Sequence, residues 1–144
     1  SYLMANSEVY SSVLSGHPFV IVLCDNGGYA VIRRLQVSKG GAAFNNMIED
    51  SNVREPLMVD FVAHAASMGA IAEPATTLDE LRDALKRART ADRTSVIVIG
   101  TDPNAWTGGD AWWDVGVPEV SERDEVRVAK AEHEAERKHQ RPGV

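Results

Sequence analysis

His17-Pro18-Phe19-Val20-Ile21-Val22-Leu23-Cys24-Asp25-Asn26-Gly27-Gly28-Tyr29-Ala30-Val31-Ile32 is the stretch on which the reading of this chain turns. Its apolar run, Phe19 to Leu23, is short enough for a strand and too continuous to leave one face wet, which predicts a central strand of a parallel sheet. At Asp25 the chemistry changes. Two side-chain oxygens and two permissive glycines follow where the strand ends, and in open parallel sheets ligands bind at that edge. The Asn26 amide oxygen and a nearby carbonyl released from regular structure are hard donors that suit magnesium, which takes octahedral oxygen and commonly keeps phosphate oxygens among its ligands. The same Asn-Gly-Gly also makes a tight turn that binds nothing.

Upstream, Val9, Tyr10, Val13 and Leu14 recur at helical spacing, with Asn6 as N-cap and Gly16 as the stop. A helix leading into the Phe19 strand predicts right-handed parallel crossovers. Downstream, Tyr29 to Gln36 reads as a short helix with Val31, Ile32 and Leu35 inward and Arg33 and Arg34 on another side. Ser38 to Asn52 is the least regular stretch, and a loop this long inside a compact domain tends to be functional or mobile. Asn45 and Asn46 either contact a polar ligand or cap the turn at Met47.

Asp60 opens a helix with Phe61, Ala65 and Met68 on one face and Gly69 as its end; His64 reads as a packed or half-exposed residue of that helix. Ala70 to Ala75 is a short edge strand ended by Pro74. Thr77 and Glu80 form a capping box, followed by a stripe of Leu78, Leu81, Leu85 and Ala88. Ser95 to Ile99 is a last buried strand. Trp106, Trp112 and Trp113 lie among glycines and need apolar cover, at an interface or against a ligand. From Glu119 onward the composition predicts a mostly solvated helix fraying at Arg141-Pro142-Gly143.

At 144 residues and 44% hydrophobic the sequence supports one core. A formal charge of −6 argues against nucleic acid or an anionic membrane as partner. The single cysteine, Cys24, falls inside the apolar strand, so no internal disulfide forms and a buried thiol in a reduced, cytoplasmic setting is expected. No signal peptide is visible, and no apolar run approaches the roughly 20 residues of a membrane span.

The opening Ser1-Tyr2-Leu3-Met4-Ala5-Asn6-Ser7-Glu8 resembles the residues that follow Gly-Asp-Gly in thiamine-diphosphate-dependent enzymes. There Gly-Asp-Gly-Ser is followed, roughly 25 to 30 residues on, by an Asn-containing turn, and the two ends clamp magnesium and diphosphate. On this resemblance Ser1 is the serine of the motif, Glu8 the acidic residue of the next helix, and Asn26 and Gly28 the second half. Gly-Asp-Gly itself does not occur in the sequence. Four blocks narrow the resemblance: Asp25 to Gln36; Ala43-Phe44-Asn45-Asn46-Met47; Val59-Asp60-Phe61 with Met68-Gly69-Ala70; and Ala111-Trp112-Trp113-Asp114-Val115 with Val117-Pro118-Glu119-Val120-Ser121. Together they resemble, nearly end to end, the branch of the family that opens a cyclic diketone in inositol catabolism.

The resemblance implies an α/β fold, three-layer αβα with a parallel sheet, of the thiamine-diphosphate-binding type and incomplete. Residues 1–105 are then the C-terminal part of the binding domain, and 106–144 a Trp-rich segment with a charged tail. It implies thiamine diphosphate and Mg2+ as cofactors. Ser1, Asn26, Gly27, Gly28 and Tyr29 lie on the cofactor, Asn26 and Gly28 hold the metal, and Tyr29, Ile32, Phe44 and Asn45 face a small-molecule substrate. No residue here matches the family's activating glutamate, which comes from a different domain. The implied partners are therefore the pyrimidine-binding and central domains of the same polypeptide and further copies in a homo-oligomer, and this stretch alone is expected to be inactive. An acetolactate-synthase-like decarboxylase or ligase, and a non-catalytic α/β piece with an assembly role only, are the other two readings.

Overall fold

The computed structural model describes residues 1–106 and 114–140, which form two compact units. The first comprises Ser1–Asn26 and Leu57–Asp102. It holds a three-stranded parallel sheet in which β3 (Ser95–Gly100) lies between β1 (Val20–Asp25) and β2 (Ile71–Ala75). Val20 stands opposite Ser95 and Asp25 opposite Gly100; on the other side Ile71 faces Ser95 and Ala75 faces Ile99.

Successive residues of a strand point to opposite faces, so Val96 and Ile97, both fully buried, seed two cores. Under one face α1 (Ser7–Ser15) and α3 (Phe61–Ser67) bring Val9 and Ala65 against Leu23, Ala70 and Val96. Under the other, α4 (Leu78–Ala88) brings Ala84 and Ala88 against Ala75 and Ile97. The unit is thus the expected α/β sandwich, a parallel sheet with helices on both faces.

Local signals explain the helix boundaries. Gly16 ends α1 at φ 68°, with its N–H donating to the Ser12 carbonyl. The Asp60 carboxylate caps α3 by accepting the Ala63 amide at 2.9 Å. Thr77 caps α4 by accepting the Glu80 amide at 3.1 Å, while the Glu80 carboxylate reaches back to the amide and hydroxyl of Thr76, each at 2.7 Å. Those bonds from Thr76 hold the Glu80 carboxyl below its ordinary pKa. The buried hydroxyls of Ser12 and Thr94 satisfy each other at 2.6 Å.

Several expectations need correction. β1 is an edge strand of the described sheet, and β3 takes the centre. Because α4 packs over β2 and β3, the same-face residues of β1 stay open: Val20 is 41% and Val22 39% exposed. Cys24 lies on that face and is exposed, so the thiol is not buried. β2 runs through Pro74 to Ala75, since an edge strand tolerates a missing N–H. In α4 the inward stripe uses Ala84, whereas Leu78, at the first turn, is 74% exposed.

The second unit comprises Gly27–Pro56 and Pro103–Val144. Its α2 (Ala30–Ser38) departs from the expected polarity in part: Ala30 is buried and Leu35 half-buried, but Val31 and Ile32 are more than half exposed and Arg33 is partly buried. The tail helix α5 (Asp124–Arg137) is mostly solvated as expected, but it buries Val126, Ala129 and His133 and packs with Val117. At Gly40, φ 79°, a side chain would run into the Glu125 backbone. Arg34 stacks over Trp106, 4.6 Å from the ring centroid. Trp112, Trp113 and the expected fraying at Arg141-Pro142-Gly143 lie outside the described residues. Among the described residues no helix is long and apolar enough to cross a membrane.

Two outcomes are predicted. Ile97→Ala should lower unfolding free energy by about 2–5 kcal/mol, and Leu78→Ala should change it by no more than about 0.5 kcal/mol, both read from urea denaturation. The second concerns Asp114, whose carboxyl is held below its ordinary pKa by the hydrogen bond from His133, with Arg137 and Lys39 adding to it. A depressed folded pKa stabilises above the unfolded value, and the gain disappears as pH falls through the folded one. Thermal unfolding of the wild type and of Asp114→Asn should therefore differ above about pH 4 and converge below it.

Candidate cofactor site

All three strands finish at one edge, because Asp25 pairs with Gly100 and Ala75 with Ile99. There the Thr101 amide donates to the Asp25 carbonyl at 2.8 Å, carrying the pairing one residue past β3. Asn26, half-buried, is the next residue after β1. Ser1, exposed, starts a single 3₁₀ turn, Tyr2–Met4, and its carbonyl accepts the Met4 amide at 3.0 Å. That turn is anchored through Tyr2. Its ring meets Phe61 edge-on, centroids 5.6 Å apart, and its hydroxyl lies 3.3 Å from His64 Nδ1. Burial pushes the Tyr2 phenol above its ordinary pKa. His64 is thus the packed helix residue its sequence context suggested.

In the second unit the segment that follows is built around two backbone hydrogen bonds. The Tyr29 amide donates to the Asn46 carbonyl at 2.6 Å and the Ile48 amide to the Gly27 carbonyl at 3.1 Å, making Gly28 and Met47 an antiparallel bridge. In this pairing type the bonds are made by the flanking residues, so the N–H and C=O of Gly28 itself are directed away from Met47. Gly27 sits at φ 74°, where glycine is the natural occupant. Gly28 is required by space: a Cβ there would lie 2.5 Å from the Asn46 carbonyl oxygen and 2.8 Å from Met47 Cα. Met47 is buried beneath the bridge.

The loop that supplies this bridge has its own closure. The Asn45 amide donates to the Asp50 carbonyl at 3.3 Å, the Asp50 amide to the Met47 carbonyl at 3.1 Å, and Ser51 Oγ to the Met47 carbonyl at 2.6 Å. Asn45 adopts φ 53° and its Oδ1 accepts the Asn52 amide at 3.3 Å; Asn46 Nδ2 donates to Gln36 Oε1 at 2.7 Å. Both asparagines therefore have structural work inside the loop. No local pattern points to Arg33, whose Nε donates to Asp50 Oδ2 at 2.7 Å and whose other nitrogens reach Asn104 Oδ1 at 2.9 Å and Glu49 Oε1 at 3.9 Å. Seventeen positions separate Arg33 from Asp50, beyond any local spacing rule.

Of the candidates, Gly27, Gly28 and Tyr29 are joined by the bridge to the loop that carries Asn45. Tyr29, Ile32 and Phe44 are large residues more than half exposed, so the inward placement expected of Ile32 does not hold. Among the described residues no group of three or more His, Cys, Asp or Glu side chains is placed to hold a metal ion.

The family described as "Thiamine pyrophosphate enzyme, C-terminal TPP binding domain" matches residues 1–99. The chain is similar to the 3D-(3,5/4)-trihydroxycyclohexane-1,2-dione hydrolase of Listeria monocytogenes serotype 4b, 33% identical over 142 residues, covering 98% of this chain and 22% of the relative. It is 35% identical over 131 residues to the protein of the same name from Bacillus subtilis, covering 90% of this chain and 20% of that one. The Bacillus velezensis protein of that name gives 35% over 132 residues, with 90% and 20% covered. The chain thus spans about a fifth of the length of the curated relatives it matches.

The bridge makes a direct prediction. Gly28→Ala should push residues 46–48 off the turn, speed amide exchange at Tyr29 and Ile48 by more than about tenfold, and destabilise by about 1–3 kcal/mol. Unchanged exchange at both amides would show that the close approach does not exist.

Proposed function

This chain belongs to the thiamine pyrophosphate enzymes, through their C-terminal cofactor-binding domain, and on that premise we propose that it forms the diphosphate-and-metal-binding part of a thiamine-diphosphate- and Mg2+-dependent hydrolase. The reaction proposed for the complete polypeptide is hydrolysis of a carbon–carbon bond in a cyclic 1,2-diketone, trihydroxycyclohexanedione, opening the ring in inositol catabolism. The observation that carries this reading is the reach of the similarity. The general family accounts for residues 1–99, whereas the likeness to the dione hydrolases extends over 98% of the chain. The remaining pyrimidine-binding and central domains, and assembly into a homo-oligomer, belong to the same proposal.

In this reading the Asn26 amide oxygen and the Gly28 carbonyl are the chain's ligands to magnesium. Both are hard neutral oxygens, which fits a small cation that draws most of its anionic donors from a phosphate. The bridge geometry agrees, since the bonds of residues 27 and 29 go to the loop and the Gly28 carbonyl is directed to the other side. Ser1, Gly27 and Tyr29 complete the proposed cofactor-binding set.

Thiamine diphosphate, when bound, supplies the carbon nucleophile that makes cleavage next to a carbonyl accessible. The chain's part is binding and orientation. Tyr29, Ile32 and Phe44 offer apolar surface that a bound ring would cover and dry, and Asn45 offers an amide to its hydroxyl groups. A chain of −6 charge needs local compensation for a diphosphate, which metal and backbone amides provide.

In the complete polypeptide Asn26→Ala should abolish Mg2+-dependent binding of thiamine diphosphate, measured by calorimetry; normal binding by this variant would refute the metal assignment. Asn45 holds a left-handed conformation, so Asn45→Gly removes its side chain without adding strain. This variant should keep cofactor affinity and raise KM for the cyclic diketone. The 144-residue chain alone should show no ring opening.

A further inference from the structure

We propose that Arg33 is a positioning residue for the cation-binding turn: paired with Asp50, it holds the loop of residues 45–51 against residues 27–29 and so fixes where the Gly28 carbonyl is directed. The proposal rests on the reading of Asn26 and Gly28 as metal ligands. Arg33 touches neither cofactor nor metal in this scheme and acts only through the loop.

Three observations support it. The first is continuity. Arg33 lies in the first turn of α2, and its amide donates to the Tyr29 carbonyl at 3.0 Å, so the guanidinium is mounted on the same short helix that the turn runs into. Asp50 is bonded through its amide and carbonyl to Met47 and Asn45, so the carboxylate belongs to the closed loop that makes the bridge. One ion pair thereby ties the two sides of the bridge together. The second is geometry: the Nε to Oδ2 contact is 2.7 Å, with 26% of the arginine side chain and 18% of the aspartate exposed, and Asn104 holds another guanidinium nitrogen at 2.9 Å. A planar fork held at several points has little freedom to drift.

The third is the covered arginine of α2. A short helix normally turns its apolar residues inward and its charges out, yet here Val31 and Ile32 face out while Arg33 lies largely covered, as Ala30 and Leu35 do. A second tie, Asn46 Nδ2 to Gln36 Oε1 at 2.7 Å, comes from the next turn of the same helix, so both fastenings of the loop have their anchor on α2. Groups that orient ligands without touching the metal commonly change metal affinity by 10–100-fold when removed.

The test uses the complete polypeptide saturated with thiamine diphosphate and titrated with Mg2+ in a calorimeter, with Mn2+ as an independent probe read by electron paramagnetic resonance. Arg33→Gln and Asp50→Asn should each raise the Mg2+ dissociation constant by about tenfold and speed amide exchange at Tyr29 and Ile48. Arg33→Lys should restore affinity in part, and the charge-swapped pair Arg33→Asp with Asp50→Arg should bind better than either swap alone. A purely structural role would lower the melting temperature and leave the Mg2+ constant untouched, and that result overturns the proposal. If Arg33→Gln fails to fold, Asp50→Asn carries the same measurement. Asn26→Ala separates the two levels of argument. If it abolishes Mg2+ binding while the Arg33 and Asp50 variants bind normally, the positioning role fails and the metal reading survives. If it binds Mg2+ normally, both fail.

Discussion

Two hydrogen bonds between main chains, Tyr29 amide to Asn46 carbonyl and Ile48 amide to Gly27 carbonyl, give the segment leaving β1 a defined shape. A parallel strand stops supplying partners where its neighbour ends, so the residues just past it need new ones or water. Here a distant loop provides them, and it can come close because residue 28 has no side chain. The other devices of this unit serve that approach: Gly27 turns the chain, Met47 fills the space beneath, and α2 fastens the loop through Arg33 and Gln36. The metal site proposed for this family member depends on the direction of one carbonyl, and that direction follows from the approach.

Much of the fold could be read from the sequence, because the determinants are local. Gly16, Asp60, Thr77 with Glu80, and the apolar run of β3 act within a few residues, and each stands where its chemistry requires. What could not be read depends on coverage. Phe19 to Leu23 is as apolar as a central strand, and nothing in those residues reports that α4 packs over β2 and β3 and leaves the far face of β1, with Cys24, open. Leu78 obeys the helical period but, in the first turn of α4, stays 74% exposed, and Ala84 and Ala88 share the buried cluster of Ile97.

For the candidate site the division is similar. Asn26, Gly27 and Gly28 are visible because three turn-forming residues after an apolar run are a local signal. Arg33 and Asp50 are invisible because an ion pair across seventeen positions leaves no periodic trace, and an arginine beside another arginine on a short helix looks like solvated surface. Asn45 and Asn46 read equally as ligand contacts or as caps of the turn at Met47. Neither side chain caps that turn: Asn45 Oδ1 accepts the Asn52 amide and Asn46 Nδ2 donates to Gln36, so both tie the loop in place.

Gly40 has a wider consequence. Its left-handed backbone, φ 79°, and the nearness of the Glu125 main chain leave room for hydrogen alone, while its carbonyl accepts Arg123 Nε at 3.1 Å just ahead of α5. Any bulkier occupant would have to lift the start of the charged helix from its seat. That one codon is therefore under a veto unrelated to chemistry at the turn, and drift there should be forbidden in every descendant that keeps its tail folded this way.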